Sequence, residues 1–133
     1  MNKTALVVGI GSNTTDREFR MQSAIEALCG KFTDANVSAV YETQAVNGHD
    51  APYFNAVFSG MTTMPMEDVI VWLKEQERLA GRNELENIEG QVHLDLDLVI
   101  WDGRIVRPAD FDRTYFNIGY RQLLAEGAFQ YNV

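Results

Sequence analysis

Leu94-Asp95-Leu96-Asp97-Leu98-Val99-Ile100-Trp101 is the clearest strand in the chain. Period-two geometry sends the leucines to one face and both aspartates to the other. A strand with one apolar face must cover it, and the preceding residues supply the cover. Met66, Val69, Ile70, Leu73 and Ala80 keep a helical stripe after Pro65, with Glu67 and Asp68 at the positive end of the helix and Gly81 closing it. Before that helix, Tyr53 to Thr63 fits a strand, and Val37 to Thr43 alternates loosely as another. Ala5 to Ile10 is a β-branched apolar run closed by Gly11-Ser12-Asn13. Thr15 and Glu18 then stand in capping-box spacing ahead of Met21, Ala24, Ile25 and Leu28, a second helical stripe that runs to Gly30. The order is β-α-β-β-α-β. It predicts an α+β fold, a ferredoxin-like sandwich whose antiparallel sheet carries two helices on one face and leaves the other face free. Asp102-Gly103 turns the last strand, residues 104 to 119 read as irregular, and Tyr120 to Gly127 reads as a short helix in a C-terminal extension.

The chain has 133 residues, one domain's worth, and the expectation is a single domain over 1–133. Apolar residues at 46% and charged residues at 23% exclude a disordered or fibrous chain. No apolar run approaches the roughly 20 residues of a membrane span, and no signal peptide opens the chain, so the expected location is the cytoplasm. One cysteine, Cys29, excludes an internal disulfide and a zinc site of several thiolates. No obligate protein partner is evident.

Nineteen acids against eleven bases give a net charge of -8, which argues against a partner that is a nucleic acid. Seven of the bases lie between residues 74 and 121: Lys74, Arg78, Arg82, Arg104, Arg107, Arg113 and Arg121. An acidic protein handling a small anion needs such a local cluster, a divalent metal, or both.

Asp95 and Asp97 are about 6.6 Å apart along a strand, close enough for their carboxylates to bracket one or two hard cations. The alternative is a solvated strand face that carries two acids. His93 shares that face and offers a His-Asp-Asp set for a transition metal, or a merely solvated imidazole. Tyr53 and Asn55 share a face opposite Phe54, a ring for stacking and an amide for edge-on hydrogen bonds to a planar heterocycle, or else a cross-strand aromatic beside a turn asparagine. Gly9-Ile10-Gly11-Ser12-Asn13 reads as a strand-to-helix turn. No P-loop lysine follows it, and Ser12 has no evident histidine and acid partners.

Gly9-Ile10-Gly11-Ser12-Asn13, Tyr41-Glu42-Thr43, Tyr53-Phe54-Asn55-Ala56-Val57, Glu77 with Gly81-Arg82, and Leu94-Asp95-Leu96-Asp97-Leu98 stand in register. In that order and spacing they resemble the 6-hydroxymethyl-7,8-dihydropterin pyrophosphokinases of folate biosynthesis. The resemblance implies transfer of the terminal diphosphate of ATP to the hydroxymethyl group of the pterin. It implies two Mg²⁺ ions on Asp95 and Asp97. Tyr53, Asn55 and Thr43 would bind the pterin, and Lys74, Glu77 and Arg82 the nucleotide. Arg82, Asp97 and Arg121 would be the catalytic set.

The sequence departs from that family at defined places. Val92 stands where the family carries an arginine, Thr114-Tyr115 where it carries Pro-His, and Leu123 where it has a second aromatic for the pterin. The expected proline after Thr43 is missing, and the tail is short. Residues 83 to 91 hold three acids and no arginine and are expected to form a mobile loop that nucleotide does not close. Arg104, Arg107 and Arg113 are available to replace the lost cations. The alternative expectation is a diverged, non-catalytic module that binds a pterin or nucleotide on the same scaffold.

Overall fold

The computed structural model describes residues 2–81 and 90–128. Its elements are β1 (Thr4–Ser12), α1 (Arg17–Lys31), β2 (Thr33–Val37), β3 (Tyr41–Thr43), β4 (Tyr53–Thr62), α2 (Met66–Gly81), β5 (Asp95–Trp101), β6 (Arg104–Ile105), α3 (Pro108–Phe111) and α4 (Thr114–Ala125). Among the described residues they form one six-stranded sheet in the order β2-β4-β1-β5-β6, with β3 also paired to β4. Every pairing is antiparallel. The fold is α+β and consistent with a ferredoxin-like sandwich, as the element order predicts.

The two apolar stripes cover one face. Leu6, Val8 and Ile10 of β1, Ala56 and Phe58 of β4, and Leu96 and Leu98 of β5 pack against Met21, Ala24 and Leu28 of α1 and Val69 and Leu73 of α2. Phe32, just past α1, meets Phe58 at 6.0 Å and Trp72 edge-on at 5.5 Å between ring centroids, which ties both helices to the sheet. Burying each such aliphatic or aromatic side chain is worth about 1.5–3 kcal/mol.

The opposite face is not free. Val7, Val57, Val99 and Ile100 form a second core with Phe116 and Leu123 of α4. Residues 104–119, expected to be irregular, hold β6, α3 and the first half of α4. Phe116, Gly119 and Leu123 recur at helical spacing and are the buried residues of α4. A bulge in β5 serves this core: Val8 pairs with Leu98 but Val7 with Ile100, so Val99 is the extra residue and joins Ile100 on the α4 side.

Two further expectations change. The strand drawn from Val37 to Thr43 is two strands, because the chain breaks at Ser38, whose Oγ accepts from the Val57 N–H at 2.9 Å. α1 starts at Arg17 with Asp16 as its N-cap rather than Thr15. The Thr14 hydroxyl donates to Asp16 at 2.6 Å, and no side chain caps the helix. No helix among the described residues is long and apolar enough to cross a membrane.

Candidate functional site

Strand register builds the site from three rows. Tyr41 lies opposite Asn55, Asn55 opposite Gly11, and Gly11 opposite Asp95. Gly9 lies between Val57 and Asp97, and Thr43 lies opposite Tyr53. Tyr53, Asn55, Asp95 and Asp97 therefore come to one face of three adjacent strands, with two glycines as the bare floor between them. The resulting cavity encloses about 380 Å³ and is walled by the 44–50 segment on one side and by Asp110, Tyr115 and Phe116 on the other.

The amide of Asn55 is buried and donates to Thr43 Oγ1 at 2.7 Å, which fixes the side chain's orientation. An alanine methyl at Gly11 would stand 3.5 Å from Asn55 Oδ1 and 3.5 Å from the Tyr53 ring, so glycine keeps this floor open. Burial pushes the Tyr53 hydroxyl up from its ordinary pKa, with the charges of Asp95 and Asp50 adding.

Tyr41 holds the far wall. Its hydroxyl donates to the Tyr115 carbonyl at 2.7 Å and accepts from the Gly119 N–H at 3.1 Å, pinning α4 to the sheet, and burial pushes its pKa up to about 12. Close approach requires glycine at 119: a Cβ there would lie 2.7 Å from Val57 Cγ2 and 2.8 Å from Ser38 Oγ.

At the strand ends a third carboxylate joins the aspartate pair. Carboxylate oxygens of Glu77, Asp95 and Asp97 lie within 4.8 Å of one another. Glu77 comes from the last turns of α2 and is fixed by accepting the Leu96 N–H at 2.7 Å. Desolvation pushes the Asp95 carboxyl up to about 8, and the charges of Asp97 and Glu77 reinforce the rise. Three clustered oxygen donors on rigid elements suit a hard divalent cation. Sequence pattern exposed the aspartates but not Glu77 as their companion, because that proximity depends on α2 returning to β5.

The remaining residues expected at the site divide. Lys74 is exposed and reaches Glu77 at 3.3 Å. Arg121 is exposed on α4 and does not line the cavity. Arg82 lies outside the described residues, as do most of the residues of the expected 83–91 loop. His93 does not join the carboxylate cluster. Its ring packs by Gly81, 3.6 Å from where a Cβ there would sit. Leu123 is fully buried in the second core, while Tyr115, singled out in the sequence only as a departure from the family pattern, and Phe116, not singled out at all, line the cavity. Asn13 uses its N–H on the Val92 carbonyl at 3.0 Å and its side chain on the Val92 N–H at 2.6 Å and the Gly90 carbonyl at 2.7 Å. It staples the turn after β1 to the chain before β5 rather than presenting an anion nest.

A ferredoxin-like sheet with an aromatic-amide pocket on one face and a carboxylate cluster at its strand ends defines the class: an α+β scaffold whose cavity residues suit a planar ligand and a hard cation. Comparison with known proteins makes the class specific. The model of the 7,8-dihydro-6-hydroxymethylpterin-pyrophosphokinase (HPPK) family matches residues 7–124, and the chain belongs to that family. It is similar to the 2-amino-4-hydroxy-6-hydroxymethyldihydropteridine pyrophosphokinase of Aquifex aeolicus, at 27% identity over 101 residues, 75% of this chain and 62% of that protein. It is also similar to the folate synthesis bifunctional protein of Arabidopsis thaliana, at 30% identity over 98 residues, 72% of this chain and 20% of that protein. The chain thus matches less than two thirds of the length of either relative.

Proposed function

We propose that this protein transfers the terminal diphosphate of ATP to the hydroxymethyl group of 6-hydroxymethyl-7,8-dihydropterin, with magnesium required. The observation that carries the reading is the convergence of Tyr53 and Asn55 with Asp95 and Asp97 across the bare floor at Gly9 and Gly11. Substrate and cation sites of the right chemistry then share one cavity.

In the reaction the hydroxymethyl oxygen attacks the β-phosphorus of ATP. The bond from that phosphorus to the oxygen bridging to the α-phosphate breaks, AMP departs with that oxygen, and the hydroxyl proton passes to water. Such transfer is mostly positioning and charge neutralisation. Tyr53 stacks on the pterin plane, and Asn55, its NH₂ already committed to Thr43, offers Oδ1 to an N–H on the ring edge. Glu77, Asp95 and Asp97 would hold the magnesium, two ions by the resemblance, and their all-oxygen set fits that ion. Bound there, magnesium supplies positive charge against the triphosphate. Lys74, 3.3 Å from Glu77, would meet a phosphate at the edge of this cluster. Arg82 and Arg121 keep their proposed phosphate roles on the resemblance alone.

The test is to incubate the protein with ATP, Mg²⁺ and the hydroxymethyl dihydropterin and to follow AMP. AMP formation that a chelator abolishes supports the reading. Pterin binding without AMP above background would favour the second reading, a non-catalytic ligand-binding module. Val92 and Tyr115 favour that second reading, since each stands where the family carries a cationic or titratable side chain.

A further inference from the structure

The cavity has a charge problem. Asp50, Asp95, Asp97 and Asp110 line it, and among the described residues no lysine or arginine does. A polyphosphate entering it meets carboxylates on every side. One guanidinium is nevertheless held at the rim. Arg107, just before α3, donates its Nε to Asp110, and its Nη2 lies 3.6 Å from Asp97 Oδ1. The other oxygen of Asp110 accepts from the Tyr115 hydroxyl. Tyr115, Asp110, Arg107 and Asp97 thus form a chain that ends on the carboxylate cluster.

Each link differs in strength. The Arg107 backbone is anchored, since the bulge carbonyl of Val99 accepts from the Val106 N–H at 2.8 Å and from the Arg107 N–H at 3.4 Å. Asp110 is half-buried and takes two charge-assisted bonds, the strong kind. Tyr115 stays a donor, because burial and the hydrogen bond to Asp110 hold its hydroxyl well above its ordinary pKa. The contact with Asp97 is the weak link. At 3.6 Å it is an ion pair longer than a hydrogen bond, and the Arg107 side chain is 48% exposed. Lys74 approaches the cluster from the α2 side, but its side chain is 59% exposed and its ammonium pairs with Glu77 at 3.3 Å.

We propose that Arg107 is a tethered counter-ion of this site. It neutralises Asp97 while the cluster is metal-free, and its guanidinium engages the phosphate oxygens of the nucleotide once Asp97 is given over to magnesium. The inference rests on the diphosphate-transfer reading above. A planar fork of five donors suits both duties: Nε keeps the tether to Asp110 while the terminal nitrogens exchange one anion for another. Asp110 and Tyr115 are positioning residues in this scheme. Tyr115, at a departure from the family pattern, holds the carboxylate that aims the arginine.

The experiment measures two ligands separately on wild type, Arg107→Ala, Arg107→Lys and Tyr115→Phe. Mn²⁺ alone is followed by loss of its free-ion EPR signal, and ATP with excess Mg²⁺ by calorimetry. Arg107→Ala should bind Mn²⁺ alone roughly 2- to 5-fold more tightly, because a competing cation is gone. The same variant should bind ATP with Mg²⁺ roughly 10- to 100-fold more weakly, because charge-assisted phosphate contacts are lost. Arg107→Lys should recover part of the ATP affinity, and Tyr115→Phe should weaken ATP while leaving Mn²⁺ nearly unchanged. Opposite signs for the two ligands are what a merely structural role cannot produce. Parallel weakening of both, or unchanged ATP affinity in Arg107→Ala, overturns the inference and leaves the transfer reading standing. Failure of the wild type to bind ATP with Mg²⁺ overturns that reading, and the inference with it.

Discussion

Along β1, β4 and β5 alternate side chains go to opposite faces of one sheet, and the two sets differ in kind. Leu6, Val8, Ile10, Phe58, Leu96 and Leu98 face α1 and α2 as an unbroken apolar layer. On the other face the same strands place Val7, Val57 and Val99 under α4 at one end of the sheet and Gly9, Gly11, Tyr53, Asn55, Asp95 and Asp97 toward the other. Parity in the pleat separates the residues that hold the fold from those that line the cavity. One strand can therefore carry both without compromise, since substituting one set leaves the packing of the other largely untouched.

The largest effect should come from the packed face. Phe58→Ala removes a fully buried ring that touches both α1 and α2 through Phe32, and should cost about 3–5 kcal/mol of unfolding free energy, read from denaturant titration. A loss below about 1 kcal/mol would break the comparison, because the core face would then not be what holds the sheet.

Asp97→Ala, one pleat away on β5, tests the other half. Nucleotide affinity with magnesium should fall about 100-fold and lose its dependence on magnesium, while the melting temperature of the metal-free protein holds or rises as a repulsive charge disappears. Affinity unchanged in the presence of magnesium would remove Asp97 from the cation site.

How much of this was visible in the chain follows from which signals are local. The leucine-aspartate alternation and the two helical stripes each declare a face within a dozen residues, so β1, β4, β5, α1 and α2 were legible. β2 was not, because Thr33-Asp34-Ala35-Asn36 is exposed and polar and acquires its strand geometry only by pairing with β4. α4 was half-legible: Phe116 and Leu123 keep helical spacing, but Asn117 and Gly119 are weak helix formers and masked its first half. At the site, Asp95, Asp97, Tyr53 and Asn55 could be read from spacing and resemblance. Glu77 beside the aspartates, and the chain from Tyr115 through Asp110 to Arg107, required α2 and α4 to return to β5, which no local pattern encodes.

Two glycines sharpen the comparison at smaller magnitude. Gly119 is where α4 meets the sheet, and Gly119→Ala should destabilise the fold by about 1–3 kcal/mol through overpacking against Val57 and Ser38. Gly11→Ala meets only ordinary contacts, so stability should stay within about 0.5 kcal/mol while pterin binding weakens, because the methyl stands on the cavity floor. Equal destabilisation by both, measured by thermal unfolding and by ligand fluorescence, would mean that the floor is packed rather than open.

The last effect is electrostatic and has a definite sign. Asp95 has its folded carboxyl pushed up to about 8, against an ordinary value of 3.8, first by burial and then by Asp97 and Glu77. Between roughly pH 4 and pH 8 the folded protein therefore binds this proton more tightly than the unfolded chain does. Its contribution to stability is present below pH 4 and is lost as pH rises through 8. Asp95→Asn has no such proton to lose. The variant should match wild type near pH 4 and exceed it by about 1–2 kcal/mol at pH 8.5 without metal, the repulsion being partly screened by water at this half-buried position. Saturating Mg²⁺ should reverse the order, because a bound cation needs the carboxylate and stabilises only the protein that keeps it. Denaturant titrations of both proteins at pH 4 and 8.5, with and without Mg²⁺, give the four differences. A variant that is less stable than wild type at pH 8.5 without metal would show that Asp95 is a packed, satisfied acid and that the two faces are less distinct than their residues imply.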